Sequence, residues 1–419
     1  VIPTPAFRLY LLSRAAAWIG ASMTLVALPV LLYQRTGNAA LTGLLAALEA
    51  VPYLLLGLPV GALADRWDRR RTMVVTGVLG ATVLATVPLA VAVDLLTTPH
   101  VFAVGLAVAT LFVFTDAAGF GALPEIVGRD RVAEATGALV TVSTVIGLLG
   151  PAAAGVLTAG LGAAVVLALD AAAALLAAVL LHRARWTPAP PPPSQPGSLL
   201  VRTARDAAEG VRYIWRHPVV RSLTLLGVGN SISGGAVTGL LVVVGVRQLG
   251  LSDDDGRLGL LYAATAAGAV LIGLGTARIQ QRLPTGTITL LALAVAWLGT
   301  VAWAFTTTLA VGLVVLAVWQ AASTLAIVNG IVVRQAVTPA RLQGRVNTTA
   351  RMIAWGGAPL GAGVGGLIAE AVDTRAALLV ASTGVAVSLA VGLATGLRRV
   401  GTLQSLVDEA QAAERTSGK

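Results

Sequence analysis

The chain has 419 residues, 56% of them hydrophobic and 11% charged, with a mean hydropathy of +0.85. Soluble chains carry about 25% charged residues, so this one reads as a polytopic membrane protein. Zero cysteines exclude disulfides, thiol catalysis and thiolate metal sites, and the net charge of +10 is spread as topology rather than as a nucleic-acid surface.

A bilayer core of about 30 Å needs roughly 20 helical residues. Cutting at charge, proline and glycine breaks predicts six spans in the first half, 8–33, 40–64, 72–94, 101–123, 134–158 and 162–182. Six more follow, at 221–248, 257–278, 286–306, 308–333, 346–371 and 375–397. The first run is too long for a signal-peptide core. Of the 29 Lys and Arg, about 23 fall on one side of these spans. Arg35, Arg247, Arg257 and Arg375 fall on the other, and Arg14 and Arg351 lie within spans. That asymmetry places both termini in the cytoplasm. The expected fold is an all-α membrane protein with twelve transmembrane helices in two pseudo-symmetric six-helix halves. Its parts would be 1–182, a cytoplasmic linker at 183–220, the second half at 221–397, and a cytoplasmic tail at 398–419.

Polar residues inside apolar spans are costly and mark candidate sites. In the first span Arg14 is followed by Trp18 and Ser22 on one face. In the second, Glu49 lies about 12 Å from the outer end, with Tyr53 one turn on. An acid set in an apolar wall is suited to loading and releasing a proton, and Glu49 is the first candidate for that role; a hydrogen-bonded structural carboxyl is the alternative. Between the second and third spans, Gly61 to Arg71 packs four arginines and two aspartates into a short loop. Asp116 sits about 10 Å inside the fourth span, at a depth that Arg14 could share. In the fifth span Gly147, Gly150 and Gly155 flank Pro151, which predicts a kinked, closely packed helix. Asp170 in the sixth span is the second candidate proton carrier. The linker holds a Pro-rich run and then, from Leu199 to His217, an amphipathic helix, read first as a tether joining the halves and alternatively as an interfacial helix with its apolar face on lipid. The second half is nearly free of acids in its spans. Asn230, Trp319, Gln320 and Asn329 are its polar and aromatic candidates for a weakly polar cavity, with interhelical hydrogen bonding as the alternative role.

The run Gly61-x-x-x-Asp65-Arg66-x-x-Arg69-Arg70 resembles the loop signature of the major facilitator superfamily. The resemblance extends over the twelve spans, the long central loop, and a degenerate second copy at Gly273-Leu-Gly275-Thr-Ala-Arg278. Asp68 stands where the general pattern has glycine. That acid, with Ala122-Leu-Pro124-Glu125-Ile-Val-Gly128-Arg129, is similar to the branch that includes enterobactin and macrolide efflux proteins. Gly147 to Gly155 resembles the Gly-Pro motif of antiporters in this superfamily. The resemblance implies a gate in which Gly61, Asp65, Arg66, Arg69 and Arg70 work with Asp116, and with the start of the eleventh span; a static loop whose arginines only enforce topology is the alternative. It places the seventh and tenth spans on the cavity and the sixth at the periphery. Many relatives carry an acid after the first-span glycine, whereas Gly20 is followed here by Ala21.

These readings converge on a secondary transporter that exports hydrophobic or amphipathic, drug-like molecules by proton antiport through alternating access. A dedicated exporter of a siderophore, secondary metabolite or lipid is the alternative, and a membrane receptor or enzyme on the same scaffold is the reading from another class. The sole lysine is Lys419, so no ATP-binding phosphate loop is present, and no cofactor is expected beyond the proton gradient. His100, His182 and His217 fall at loops or span ends and give no metal-binding pattern. The expected partners are a small-molecule substrate, protons and the lipid bilayer, with no nucleic acid, in a monomer of the bacterial cytoplasmic membrane. An efflux role would connect the protein to antibiotic resistance.

Overall fold

The computed structural model describes residues 4–64, 67–186, 199–339 and 342–406, which are almost wholly helical. The first six helices are α1 (Pro5–Thr36), α2 (Ala39–Ala64), α3 (Arg69–Ala92), α4 (Thr98–Val127), α5 (Val132–Leu161) and α6 (Ala163–Arg183). Then come α7 (Leu199–Arg216), α8 (Pro218–Gly239), α9 (Leu241–Arg247), α10 (Leu258–Arg282) and α11 (Thr285–Phe305). The last four are α12 (Leu309–Val337), α13 (Gln343–Trp355), α14 (Gly357–Ala371) and α15 (Thr374–Ala394). Among the described residues, eleven helices are long and apolar enough to cross a membrane, or twelve when α8 and α9 count as one span bent by 51°. Each expected span coincides with one of them, counting α13 and α14 together. The structure adds two breaks. Leu240 leaves helical geometry (φ −103°, ψ 6°) directly after Gly239, and Gly356 separates α13 from α14.

Local chemistry sets the helix starts. Thr4 accepts a hydrogen bond from the Phe7 amide, Asp68 from that of Arg71, and Asp373 from that of Ala376, each satisfying a first-turn donor. Asp68 therefore has a capping role beside whatever branch it marks. Prolines at 52 and 59 in α2 and at 151 in α5 remove ladder bonds that membrane helices tolerate when neighbours supply replacements.

Packing divides the chain into two compact units. One comprises residues 1–200 with 251–263, the other 201–250 with 264–419. In the first, α1 and α3 pack along α6, α2 and α3 along α4, and α5 along α1. Leu28, Leu32, Leu45, Val166 and Leu167 form its core. In the second, α14 and α15 pack on α8, and α11 packs on α12 and α15.

Helix α7 corrects the expectation of an apolar face turned to lipid. Its inner side is covered by protein: Ile214 is buried with Val220, Leu342, Val346 and Ala350, and the Tyr213 hydroxyl donates to the Val337 carbonyl at 2.8 Å. Gly210 is packed so tightly on Arg345 and Thr349 that a methyl group there would lie 2.6 Å from the Thr349 hydroxyl. Glu209 pairs with Arg345. Trp215 stays exposed, at 52%.

His217 joins α7 to α8 by stacking on Tyr213 at 5.8 Å and accepting the Val220 amide at Nδ1. Burial holds its imidazole below the usual histidine range. Its folded-state pKa is depressed, so this cap contributes fully above about pH 6.5 and is lost as the pH falls through the folded value. Amide exchange over residues 213–220 should therefore accelerate at pH 5.5 relative to pH 7.5 once corrected for intrinsic rates. His217→Asn, which caps without titrating, should abolish that difference.

Candidate functional site

The acids inside the first unit occupy three different settings. Glu49 lies midway along α2, partly buried. Its Oε1 faces Gly105 of α4, where a Cβ would come within 3.1 Å of it. It makes no hydrogen bond among the described residues, and Tyr262, near the start of α10, is within electrostatic reach. Tyr53, one turn further along α2, is partly buried. Asp170 is only 5% exposed and points from α6 into α1. It accepts a hydrogen bond from the Thr24 hydroxyl and presses on Gly20, where even a methyl group would overlap the carboxylate. Gly20 thus owes its place to Asp170, a link that the sequence reading, which looked only at its neighbour Ala21, does not supply. Asp116 forms the third setting with Arg14. Both lie within electrostatic reach of the Tyr10 hydroxyl, which itself donates to the Gly119 carbonyl at 3.1 Å. Arg14 is 7% exposed and stacks over the Trp18 ring at 5.0 Å.

The loop signature is described only in part. Gly61 lies in α2, but its surroundings, and Asp65 and Arg66 altogether, lie outside the described residues. Arg69 and Arg70 open α3. Arg69 reaches across to α4, where it pairs with Glu125 and donates to the Gly121 carbonyl at 3.0 Å. The other Glu125 oxygen accepts from the Trp186 indole at 3.1 Å, beyond the end of α6. Gly121 makes room for the guanidinium, whose carbon would lie 2.7 Å from a Cβ there. Sequence reading had singled out Glu125 only as a branch marker. Its acid sits nine residues beyond Asp116, at the end of the same helix, which is the signal that could have found it. The pair is largely buried, with side chains 19% and 8% exposed. Removing one partner of a buried pair costs about 3 kcal/mol or more. We expect Arg69→Met and Glu125→Met each to lower the melting temperature clearly, and the double variant to lose less than the sum, as read by thermal unfolding in detergent.

The fifth-span glycines separate into kinds. Gly147 corrects the expectation of close packing all along the motif: nothing lies within 4 Å of a Cβ placed there. Gly150 packs on Ser22 of α1, whose Oγ would be 2.5 Å from such a Cβ, while the Ser22 hydroxyl is held by the Trp18 carbonyl at 2.9 Å. Gly155 meets backbone. Its Cβ would fall 2.5 Å from Gly259 Cα and 2.6 Å from the Gly256 carbonyl, and Gly259 in turn abuts the Pro151 carbonyl. The glycine face around the kink therefore receives the start of α10.

In the second unit, Asn329 is fully buried. It donates to the Thr285 carbonyl and Thr289 hydroxyl at 3.1 and 3.0 Å and accepts from Gln280. That ties α10, α11 and α12 together, the interhelical role left open by the sequence. Trp319 is 2% exposed and packs on Gly299 of α11, which makes it a packing residue here. Gln320 is partly buried and donates to Thr324, and the Asn230 amide, 5% exposed, makes no hydrogen bond among the described residues. Among the described residues, no three His, Asp or Glu side chains are grouped to hold a metal ion.

Comparison with known proteins agrees with this architecture. The family model described as Major Facilitator Superfamily matches residues 10–362. The chain is 26% identical over 386 residues to the multidrug efflux pump Tap of Mycolicibacterium fortuitum, covering 89% of this chain and 91% of that one. It is 27% identical over 357 residues to the enterobactin exporter EntS of Escherichia coli, covering 82% and 80%. Among solved structures, a bacterial homologue of the human lysosomal transporter Spinster superposes with a TM-score of 0.75 at 16% identity, covering 94% of this chain and 96% of that one. The nucleoside transporter NupG gives a TM-score of 0.75 at 14% identity, covering 94% and 99%. At such identities the structural likeness concerns the fold.

Proposed function

Because the chain belongs to the Major Facilitator Superfamily, and is thus a multi-pass membrane transporter rather than an enzyme, we propose that it exports hydrophobic or amphipathic small molecules in exchange for protons. The export direction draws on the efflux roles named for Tap and EntS. The observation that carries proton exchange is Glu49, a carboxyl in mid-span that has lost most of its water and has no hydrogen-bond partner among the described residues. Asp170 is held by Thr24 and wedged on Gly20, so a proton moving there would disturb packing between α1 and α6. We therefore assign the coupling proton to Glu49 and a structural role to Asp170.

The charge asymmetry supports cytoplasmic termini and a place in the bacterial plasma membrane. In that orientation the Arg69–Glu125 pair stands at the cytoplasmic end of the first unit, where a gate acting with Asp65 and Asp116 would open and close. The protein would work as a monomer, with the proton gradient as its energy source and no bound cofactor. In proteoliposomes carrying an internal pH-sensitive dye, adding an amphipathic substrate from a drug-like panel should release protons from the protein-containing vesicles. A panel that moves substrate without any proton signal would refute the exchange.

A further inference from the structure

The residues that open α3 also line a groove on the first unit, outside the settings of Glu49, Asp170 and Asp116. It has a volume of about 370 Å³ and is bounded by Trp67, Asp68, Arg71, Thr72 and Val75, with Phe114 of α4 as a further wall. The Trp67 and Phe114 rings stack at 6.0 Å and within 10° of parallel, which ties the approach to α3 onto α4. Trp67 nonetheless stays 45% exposed.

Most polar groups of the lining are engaged. The Thr72 hydroxyl donates to the Asp68 carbonyl, and the Thr76 hydroxyl to that of Thr72, both at 2.9 Å. One Asp68 carboxylate oxygen accepts the Arg71 amide at 2.9 Å. The Arg71 guanidinium makes no hydrogen bond or ion pair among the described residues. Arg69 is neutralised by Glu125, which leaves Arg70 and Arg71 against the single carboxylate of Asp68. The balance at the groove favours a ligand of net negative charge.

Shape and position narrow the ligand further. Arg71 stands at the end of a span, the level at which headgroups begin and tryptophan is enriched. Arg71, Val75 and Leu79 follow at intervals of four residues and share one stripe of α3. Val75 and Leu79 are 47% and 48% exposed. The stripe thus runs from an unpaired cation to bare apolar surface over about 12 Å, at about 1.5 Å per residue. That is the order of a phospholipid, phosphate first and acyl chain after. Ligand pockets run from about 300 to 1,000 Å³, so this groove takes the headgroup and the top of one chain, with the rest along α3. A phosphate diester accepts from a guanidinium, and headgroup hydroxyls can donate to the Asp68 oxygen that the cap leaves over.

We propose that the groove at Trp67 and Phe114 is a binding site for an anionic phospholipid with a hydroxylated headgroup, of the phosphatidylglycerol type. The phosphate lies on Arg71 and an acyl chain against Phe114 and Val75. The bound lipid braces the start of α3, from which Arg69 reaches Glu125. The site requires only the membrane setting and holds whichever way substrate moves.

The test uses the full-length protein in phosphatidylcholine bilayers with a fixed minor fraction of one acyl-brominated lipid: phosphatidylglycerol, phosphatidylethanolamine or phosphatidylcholine. Subtracting the emission of the Trp67→Phe protein isolates the quenching of Trp67. Phosphatidylglycerol should bind at least about fivefold more tightly than either other lipid, the factor that one arginine contributes beside an anionic headgroup. Arg71→Gln, at an exposed position, should erase that preference. Arg282→Gln, which removes an exposed charge at the end of α10, should leave it intact. Equal quenching by phosphatidylglycerol and phosphatidylcholine in the wild type would overturn the proposal without recourse to any variant. So would a preference for phosphatidylethanolamine. An Arg282→Gln effect as large as that of Arg71→Gln would also overturn it, by making the preference a property of the charged surface as a whole.

Discussion

Gly155→Ala should reduce transport by at least about tenfold and lower the melting temperature, while Gly147→Ala should leave both near wild type. The two residues belong to the same glycine–proline motif and the same helix, so propensity alone would rank them equally. Their surroundings differ. A methyl group at 155 would stand 2.5 Å from Gly259 Cα and 2.6 Å from its amide nitrogen, and backbone cannot rotate away as a side chain can. Overpacking of this kind costs about 1–3 kcal/mol, and 1.4 kcal/mol is already a factor of ten in an equilibrium. At 147 the space is open. Transport in proteoliposomes and thermal unfolding in detergent measure both effects. Equal tolerance of alanine at the two positions would show that the start of α10 does not need this close approach.

Glu49→Gln should bring proton-driven substrate movement down to the level of empty vesicles, while equilibrium substrate binding stays within about threefold. The amide keeps the size of the carboxyl and removes its proton exchange, so the variant separates coupling from shape. Asp170→Asn makes the contrasting control. Its amide can still accept the Thr24 hydroxyl proton at its oxygen, and it should retain coupled transport with at most a modest loss of stability. If the two phenotypes are exchanged, the coupling proton belongs to Asp170, on α6.

The helices were legible in the sequence because lipid imposes length and composition: about 20 apolar residues per span, bounded by charge. The break at Leu240 was not, since glycine is frequent throughout this chain and no proline marks it; at Gly356 the signal was present in Pro359, which removes the ladder bond to the Trp355 carbonyl, but it was absorbed into one long span. Residue roles followed the same division. Glu49 and Asp170 stood out because acids are rare in spans. What surrounds them did not, because Thr24, Gly20, Gly105 and Tyr262 are distant in sequence and chemically ordinary. Arg69 was visible as a charge, but its partner Glu125 lies 56 residues away. Helix α7 was legible as amphipathic, but of its two readings the lipid-facing one fails at Ile214, since periodicity gives a helix an apolar side without saying what covers it.

The most direct test of the account is the substrate ratio that the purified protein sustains across proteoliposome membranes at zero membrane potential while the pH difference is varied. Proton exchange predicts that the ratio grows with the imposed difference, by about tenfold per pH unit for each proton exchanged per substrate, with substrate accumulating on the side with the higher proton concentration. A ratio that stays at one for every pH difference, in vesicles where the protein still equilibrates substrate, would contradict it.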